Sequence, residues 1–473
     1  MSCRSAILLV MLVASACSSP ASVPRNPIAP EDEAFLDTLQ ERTFRFFWER
    51  ANPANGLIPD RWPTPSFSSV AAVGFGLAAY PVGIERGWIT RSEGVDRTLT
   101  MLRFFWTAPQ GPEPAGVTGH NGLFYHFLDM ESGRRFERVE LSTIDTGLLM
   151  AGVLFAREYY DRNDPREAEI RALADSLYRR VNWQSMVARP DRISMGWHPE
   201  TGHIQYDWHG YDEAMILHVL ALGSPTHPID PSIWKNYTST NRWGTFHGQQ
   251  YVGFAPHFGH QYSHIFIDFR GIQDDFIRPY GIDYFENSRR ATIAQREYAI
   301  ANPMKWAGYG ADVWGLTAAD GPADIEKTYN GETRRFFTYA ARGASHTEVR
   351  DDGTIAPTAA GGSVPFAPEI AIRALRTMRE RYGAGIWGEY GFLDSFNPSF
   401  TFADVPLKHG KIVPGVGWVD GDYLGIDQGP IVLMIENYRS ELIWKYMRRS
   451  PYIIEGLRRA GFTGGWLSGL NTD

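Results

Sequence analysis

Hydrophobic residues recur at helical spacing along most of the chain. Between Glu31 and Arg50 the apolar positions fall on one helical face, and acidic residues occupy the first turn. The same spacing predicts further helices near Ser68–Arg86, Arg91–Trp106, Thr143–Tyr160, Pro165–Val181, Tyr211–Leu222, Gln261–Phe269, Tyr284–Ala301, Ala367–Tyr382, Pro430–Met447 and Pro451–Ala460. Helices therefore dominate the predicted structure, and the loops between them are rich in glycine and aromatic residues.

Short loop motifs recur between the predicted helices. The sequence Asn55-Gly56-Leu57-Ile58 is echoed by Asn121-Gly122-Leu123-Phe124, and looser glycine-aromatic versions follow later in the chain. Several of these loops precede a new helix, which is typical of a repeated helical hairpin. We therefore expect an all-α fold in which helical hairpins form a ring, or toroid. The inner helices of a toroid would all begin at one rim, and that rim would gather acidic side chains.

The first thirty residues predict export. Arg4 precedes an apolar or small run from Ala6 to Ala16, which is too short to span a bilayer but has the length of a signal-peptide core. The run meets Cys17, a pattern that resembles a bacterial lipoprotein signal. We expect residues 1–16 to be a signal peptide, Cys17 to be lipidated and residues 17–30 to form a flexible tether. Ordinary cleavage at the same place is the alternative, and the expected location is the periplasm or the outer membrane.

Residues 31–473 are predicted to form one domain, because no linker or charge block divides them. The other cysteine, Cys3, lies in the segment expected to be removed, so a mature chain would form no internal disulfide. A formal net charge of -8 argues against a nucleic-acid partner, since phosphate binding needs a clustered basic surface. Aromatic residues make up 14% of the chain and include 15 Trp, a surplus that suits carbohydrate binding. We expect a monomer that meets a membrane only through a lipid anchor at Cys17.

The segment from Tyr206 to His227 crowds acidic and aromatic side chains immediately before an apolar helix. Its acids are Asp207, Asp212 and Glu213. A carboxyl group among aromatic rings is typical of a sugar-cleaving site, because rings stack on sugar faces and desolvation raises the pKa of the acid. The alternative is structural, since acids at a helix N-terminus stabilise the helix through its dipole.

Acidic or hydroxyl residues also begin other predicted helices. Ser142 and Asp145 stand at one predicted start, and Asp427 stands at another. Such residues are ordinary N-caps in most helices, although a cap can also line a pocket. Because a helix dipole lowers the pKa of an acid, these positions suit a general base better than a proton donor. Glu213 must therefore be desolvated to serve as a proton donor.

Two polar clusters raise the question of a metal. His257, His260 and His264 include a pair at metal-ligand spacing, but the sequence has no H-E-x-x-H motif and no nearby cysteine ligand. Polar contacts to substrate or neighbours are therefore the favoured interpretation. A second group around Asp268 and Arg270 misses the spacing of a calcium loop and is interpreted as salt-linked surface or rim residues. The sequence predicts no cofactor and no catalytic metal.

Four longer segments together resemble one known family. They are Tyr211–Pro228, Phe254–Gly271, Asp283–Thr292 and Gly425–Ser440. These segments resemble the bacterial glucoamylase-like domain family, and in particular its endo-β-1,2-glucanases of glycoside hydrolase family 144. The resemblance covers essentially everything after the tether. It is less specific to one substrate, because relatives include exo-acting β-1,2-glucan enzymes and the cyclising region of cyclic β-1,2-glucan synthases.

The resemblance implies an (α/α)6 toroid and metal-free, inverting hydrolysis of β-1,2-linked glucose chains. On the matching motif, Glu213 falls at the position of the proton donor. Asp427 is the first choice for the base, with Asp145 and Glu140 in reserve. Inversion needs two carboxyl groups roughly 6.5 to 9.5 Å apart, or a wider gap if a substrate hydroxyl relays the proton.

The expected contacts to an oligo- or polysaccharide come from aromatic, histidine and arginine side chains. The candidates are Trp208, His209, Tyr211, His260, Tyr262, Arg270, Trp306, Trp314 and Trp387. Buried tryptophans are equally normal in a helical core, so packing is the alternative role for each aromatic residue.

Two functions of other classes remain open, and so does the position of cleavage. A polysaccharide lyase would use Tyr262, His260 and Arg270 to abstract a proton beside a uronate carboxylate, and it would release sugars that absorb ultraviolet light. A non-catalytic glycan-binding lipoprotein would bind oligosaccharide without shortening it. For a hydrolase we expect cleavage within the glucan chain, with exo-acting cleavage as the alternative.

Overall fold

Helices make up the largest part of the computed structural model, which describes residues 28–470. The helices in this range are α1 (Pro30–Arg50), α2 (Val70–Glu85), α3 (Arg91–Thr107), α4 (Thr143–Tyr159), α5 (Pro165–Arg180), α6 (Met215–Gly223), α7 (Ser232–Ser239), α8 (Tyr262–Phe266), α9 (Tyr284–Ala301), α10 (Pro357–Gly361), α11 (Pro368–Ile386), α12 (Gly425–Ser440), α13 (Leu442–Met447) and α14 (Pro451–Arg459). The helix-rich prediction is confirmed. The predicted signal peptide, Cys17 and all but the end of the predicted tether lie outside the described residues.

Three helix predictions differ from the structure. Helix α6 begins at Met215 instead of Tyr211. The single helix predicted over Pro430–Met447 is two helices, because Glu441 takes the left-handed conformation between them with φ 58°. Helices α7 and α10 were not predicted, since each is short and shows fewer than three turns of periodicity.

Short antiparallel strands join the helices, so the all-α expectation is corrected to a helix-rich fold with small sheets. One sheet has five strands, Gly119–His120, Leu123–Tyr125, Leu141–Ser142, Gly196–His198 and Gly202–His203, and another has three, Phe396–Asn397, Lys411–Val413 and Gly417–Val419. The two-stranded pairs are Arg61–Trp62 with Tyr423–Leu424, Ser68–Ser69 with Phe127–Leu128, Val187–Arg189 with Arg192–Ile193, Trp243–Phe246 with Gln249–Val252, Ile272–Gln273 with Thr463–Gly464, Ala318–Ala319 with Ala340–Ala341, Ile325–Tyr329 with Glu332–Phe336, Gly343–Ala344 with Val349–Arg350, and Trp387–Gly388 with Gly391–Phe392.

The helices divide into a buried group and an amphipathic group. Helices α2, α4, α6 and α12 are buried on nearly every side, and α2 packs against both α4 and α12. Helices α1, α3, α5 and α11 bury one face and expose the other, which is the pattern of a covering layer. Within residues 28–470, every helix is too short or too polar to cross a bilayer.

Two glycines allow helices α2 and α4 to pack closely. A Cβ atom on Gly74 would lie 2.3 Å from the carbonyl oxygen of Leu148, and one on Gly152 would lie 2.2 Å from the carbonyl oxygen of Gly74. Both contacts are with the backbone, so no side-chain movement could relieve them. The glycines therefore fix the distance between these two buried helices.

Three of the buried helices begin directly after a paired strand. Ser69 ends one strand and caps α2, while Ser142 ends another and caps α4 by accepting a hydrogen bond from the Asp145 amide. Helix α12 follows the strand Tyr423–Leu424, which pairs with Arg61–Trp62. These strand pairs hold the helix starts in position, and with them Asp145 and Asp427 in the first turns.

Candidate active site

Tyr262 marks the place where the predicted catalytic acids converge. Burial raises the pKa of its hydroxyl well above the usual range, and the negative charges of Asp427, Glu213 and Asp145 add to the effect. The hydroxyl donates a hydrogen bond to the carbonyl oxygen of Ile426, 3.1 Å away. Acids from near the starts of α12, α6 and α4 therefore act electrostatically on one tyrosine at the start of α8.

Glu213 is held as a neutral acid by its surroundings. Burial raises the pKa of its carboxyl group, and the adjacent Asp212 carboxylate raises it further. Asp212 accepts hydrogen bonds from the Tyr237 hydroxyl at 2.8 Å and from the Ala214 amide at 2.9 Å. These donors favour the charged form of Asp212, whereas burial raises the pKa of Asp212 to about 7.

His126 links the two carboxylates that were held in reserve as bases. Its Nδ1 lies 2.8 Å from Oε1 of Glu140, and its Nε2 lies 3.6 Å from Oδ1 of Asp145. Burial opposes a charge on this imidazole, but the two carboxylates prevail and raise its pKa to about 9. Asp145 also accepts a hydrogen bond from the Ser142 hydroxyl. Both acids are thus engaged by neighbouring side chains.

Asp427 is the least engaged carboxylate of the set. Its Oδ2 is buried without a hydrogen-bond partner from any nitrogen or hydroxyl group. Burial raises the pKa of this carboxyl group to about 7, a hydrogen bond with Asp394 opposes the rise, and the charges of Asp320 and Asp60 add to it. Around neutral pH this group can accept a proton, which is what a general base must do.

The structure also places several residues at the site that the sequence did not predict. They are Asp60, His126, Asp320, Tyr339, Asp394 and Asp420. Tyr339 is 53% exposed although the charges of Asp427 and Asp394 reach its hydroxyl. A half-exposed aromatic ring beside buried carboxylates is suited to contact a sugar. The only signal in the sequence was the V-D-G-D-Y motif around Asp420, close before the helix that carries Asp427.

The aromatic residues near Glu213 are mostly part of the wall of the site. Trp208 is buried and donates from its indole nitrogen to the Thr143 hydroxyl at 2.9 Å. The Tyr211 ring stacks on Tyr284 with a centroid distance of 5.8 Å, and the buried His260 ring packs against its other side. Tyr211 and His260 are therefore packed against neighbouring rings, and their contact with sugar stays a prediction. His209 is exposed, so its predicted contact stays open.

The three more distant tryptophans pack against other side chains, and their role in sugar stacking stays a prediction. Trp314 is fully buried in the core beneath α11, and Trp306 is buried against the hairpin of Ile325–Tyr329 and Glu332–Phe336. Trp387 packs against Phe35 of α1 and lies under the Arg379 guanidinium, 4.6 Å from the ring centroid. Packing, the alternative left open for buried tryptophans, is what the structure shows for all three.

Arg270 likewise contacts neighbouring side chains. Its guanidinium lies 2.8 Å from Asp268 and 3.0 Å from Glu441, and it stacks over the Trp444 ring at 4.4 Å. These contacts agree with a salt-linked interpretation of the segment, and the expectation that Arg270 holds substrate hydroxyls stays a prediction.

The three histidines of the same segment each have a different setting. His257 lies within hydrogen-bond distance of the Thr292 and Ser363 hydroxyls, and Nε2 of His264 lies 3.1 Å from the Ser288 hydroxyl. His260 contacts the Phe254 carbonyl oxygen at 3.2 Å. Within residues 28–470, these imidazoles do not form a group that could ligate one metal ion.

A family model matches about half of this chain, and a characterised relative matches most of it. The model of the family described as "Putative glucoamylase" matches residues 205–451. In an alignment 462 residues long that covers 90% of this chain, the sequence is 30% identical to an exo β-1,2-glucooligosaccharide sophorohydrolase (non-reducing end) from Parabacteroides distasonis. The chain spans 58% of the length of that enzyme.

Solved structures share the fold of this chain at sequence identities of 27% and 31%. A protein from Bacteroides uniformis, described as a putative glucoamylase, is 31% identical with a TM-score of 0.79, and the match covers 94% of this chain and 100% of that one. An endo-β-1,2-glucanase from Chitinophaga pinensis, solved with sophorotriose and glucose, is 27% identical with a TM-score of 0.78, covering 93% of this chain and 100% of that one. The chain therefore belongs to the glucoamylase-like family.

Proposed function

We propose that this protein hydrolyses β-1,2-linked glucan by inverting general acid and base catalysis. One observation carries the proposal: the charges of Glu213 and Asp427, more than two hundred residues apart in sequence, both raise the pKa of the buried Tyr262 hydroxyl. The family relatives that act on β-1,2-linked glucans supply the substrate class. In this mechanism Glu213 protonates the glycosidic oxygen, and Asp427 activates a water molecule on the opposite side of the sugar ring.

A proton donor must hold a proton and a general base must be able to accept one, and the surroundings of Glu213 and Asp427 differ in this sense. Glu213 sits beside the hydrogen-bonded Asp212, and burial together with the Asp212 charge raises the pKa of Glu213 and favours its protonated form. Asp427 has one carboxylate oxygen that receives no hydrogen bond from a nitrogen or hydroxyl group, and its side chain contacts the Asp394 carboxyl group. Asp145 and Glu140 are instead bonded to Ser142 and His126, so each would have to break an existing contact to take a proton from water. Asp427 is therefore the better base.

The helix arrangement supports an (α/α)6 toroid as the finer description of the fold. Buried helices alternate in sequence with one-sided ones, and α12 closes against α2 from the other end of the chain. In a toroid of this kind the first turns of the inner helices share one rim. That arrangement would explain why Asp145, Glu213 and Asp427 converge.

Endo cleavage is the mode proposed first, and exo cleavage is the second candidate. The 27% identical Chitinophaga pinensis enzyme is an endo-β-1,2-glucanase. The 30% identical Parabacteroides distasonis enzyme is exo-acting, which favours the second mode. Time courses on long glucan separate the two, because endo cleavage yields mixed intermediate lengths early, whereas exo cleavage releases one short product from the start.

We also propose export through the signal-like segment and lipidation at Cys17. Support comes from the apolar run of residues 6–16 that meets this cysteine. Metabolic labelling of the expressed full chain with a palmitate analogue should mark the protein. The Cys17→Ser variant should remain unlabelled, whereas Cys3→Ser should be labelled normally. Equal labelling of both variants would contradict lipidation at Cys17.

The substrate is tested by chromatography of products from linear β-1,2-glucan, β-1,3-glucan and β-1,4-glucan. We expect shortening of the β-1,2-glucan alone. Release of products absorbing near 230 nm, an approximate value for unsaturated uronates, would favour a lyase, and binding without shortening would favour a glycan-binding protein.

The stereochemistry is tested by proton NMR of freshly released products. An inverting enzyme acting on a β-linkage releases the α-anomer first, which then mutarotates. Initial appearance of the β-anomer would contradict direct attack by water and the assignment of Asp427 as its base.

A further inference from the structure

The two most exposed large hydrophobic side chains of residues 28–470 are both tyrosines. Tyr206 is 71% exposed and Tyr339 is 53% exposed, whereas no other large hydrophobic side chain in that range exceeds 44%. Single exposed hydrophobic residues are normal on a protein surface and carry no meaning alone. These two differ because each can be placed beside the proposed catalytic acids.

Tyr339 belongs to the Asp427 end of the site. Burial raises the pKa of its hydroxyl, and the charges of Asp427 and Asp394 add to the effect, although half of the residue is exposed. Tyr339 also acts on the pKa of Tyr262, together with Asp427 and Glu213. The hydroxyl of Tyr339 is therefore within electrostatic reach of the acids, while its ring stays accessible.

Backbone hydrogen bonds connect Tyr206 to the helix start that carries Asp145. The Met195 amide donates to the Tyr206 carbonyl oxygen at 2.9 Å, and the Thr143 amide donates to the Met195 carbonyl oxygen at 3.2 Å. Thr143 is the first residue of α4, and Asp145 lies in the same turn. Tyr206 is therefore about two strand spacings, or about 10 Å, from this helix start.

The side chain of Tyr206 shares a face with Trp208. Residues 206–208 run antiparallel to residues 193–195, and successive side chains of such an extended segment alternate between two faces. The Trp208 indole nitrogen donates to the hydroxyl of the first residue of α4 at 2.9 Å, whereas Asp207 pairs with Arg189. Tyr206 therefore lies on the face that Trp208 presents to the start of α4.

Both exposed rings stand on a fixed backbone. Buried Arg342 donates to the carbonyl oxygens of Phe337 and Thr338, the two residues before Tyr339, at 3.1 and 3.0 Å. Tyr206 is held by the backbone bonds of its own segment. Within residues 28–470, neither tyrosine side chain forms a hydrogen bond or a contact with another aromatic ring. An exposed ring held in this way is preorganised for a ligand, since little order is lost when one binds.

We propose that Tyr206 contacts one glucosyl unit at the Asp145 end of the site while Tyr339 contacts another at the Asp427 end. These contacts depend on the proposed hydrolysis of β-1,2-glucan at the same site. A chain that passes both tyrosines extends beyond the cleaved bond in both directions, as internal cleavage requires. The competing arrangement is that Tyr206 is an ordinary surface residue that meets only solvent.

The test is calorimetric titration of linear β-1,2-glucan into the full chain carrying Glu213→Gln, which leaves the glucan intact. Adding Tyr206→Ala should weaken binding by about fivefold or more, because the stacking ring is lost. Tyr206→Phe keeps the ring and should bind within about twofold of the parent. Neither substitution should change the melting temperature, because the side chain is exposed. Tyr280→Ala, the control, removes an exposed ring that already stacks on Trp243 at 3.9 Å and should leave the affinity unchanged.

A double variant tests whether the two rings occupy separate ends of the site. Tyr206→Ala with Tyr339→Ala should weaken binding by the product of the two single effects, because independent contacts add in free energy. A double variant no weaker than the weaker-binding single variant would overturn the two-ended arrangement. Undiminished affinity in Tyr206→Ala would overturn the contact at Tyr206, while cleavage of the glucan by the wild type would leave the proposed function standing. A wild type that neither binds nor shortens β-1,2-glucan would overturn both.

Discussion

The Tyr237 hydroxyl donates a hydrogen bond to Asp212 across 2.8 Å, and this bond favours a negative charge beside Glu213. Tyr237 lies in α7, and its side chain is buried. The pKa of Glu213, the proposed proton donor, is therefore influenced by a pair of residues that need not touch the substrate.

Removing the charge at Asp212 should change the pH dependence of catalysis. A proton donor works below its pKa, and the Asp212 charge raises the pKa of Glu213. In Asp212→Asn that pKa falls, so the alkaline limb of the kcat profile on β-1,2-glucan should move to lower pH. The matched control Asp275→Asn changes an exposed carboxylate and should keep the wild-type profile. An unmoved alkaline limb in Asp212→Asn would contradict the coupling.

His126 should make the stability of the protein depend on pH in the neutral to alkaline range. Its pKa is raised from 6.5 to about 9 by Asp145 and Glu140 against the effect of burial. The stabilisation is complete below about pH 6.5 and is lost as the pH rises through about 9. The melting temperature of His126→Gln should therefore fall less between pH 6 and pH 9 than that of the wild type.

The exposed His209 provides the control for this measurement. His209→Gln should show the same fall in melting temperature as the wild type, because this side chain is exposed. Equal falls in His126→Gln and in the wild type would show that the contacts of His126 with the two acids do not stabilise the fold.

Trp314 should matter for stability and not for substrate. Its ring is fully buried in the cluster beneath α11, so Trp314→Phe leaves a cavity and should cost on the order of 1–3 kcal/mol of unfolding free energy. The KM for β-1,2-glucan should stay at the wild-type value. Trp106→Phe, which changes a 41% exposed ring, should alter neither quantity. A raised KM with unchanged stability in Trp314→Phe would return this ring to the substrate site.

The sequence predicted those helix boundaries that are set by neighbouring residues, through hydrophobic periodicity and capping side chains. Helix α9 begins and ends where its periodicity and the Asp283 cap place it, and α4 begins at the predicted Thr143 after the Ser142 cap. The break at Glu441 had no such signal, because a left-handed conformation at a non-glycine residue is imposed by the surrounding packing. The short strands were also missed, since two residues are too few to show alternation.

The sequence predicted only those residues of the candidate site that stand within recognisable sequence motifs. Glu213 and Asp427 stand at helix starts within recognisable motifs, and the sequence singled them out. His126 and Asp394 gain their roles from contacts with residues distant in the chain, which no spacing reveals. The role of Trp387 stays a prediction, since aromatic composition does not distinguish a ring in the core from one facing a sugar.

The turnover of β-1,2-glucan by Glu213→Gln tests the central claim most directly. Glutamine keeps the size of the side chain but cannot give up a proton, so kcat should fall by about a thousandfold or more while the melting temperature stays close to that of the wild type. Glu286→Gln, which alters a carboxylate on the outer face of α9, should retain full activity and serves as the control. A Glu213→Gln protein that keeps a tenth of the wild-type rate would contradict the assignment of Glu213 as the proton donor.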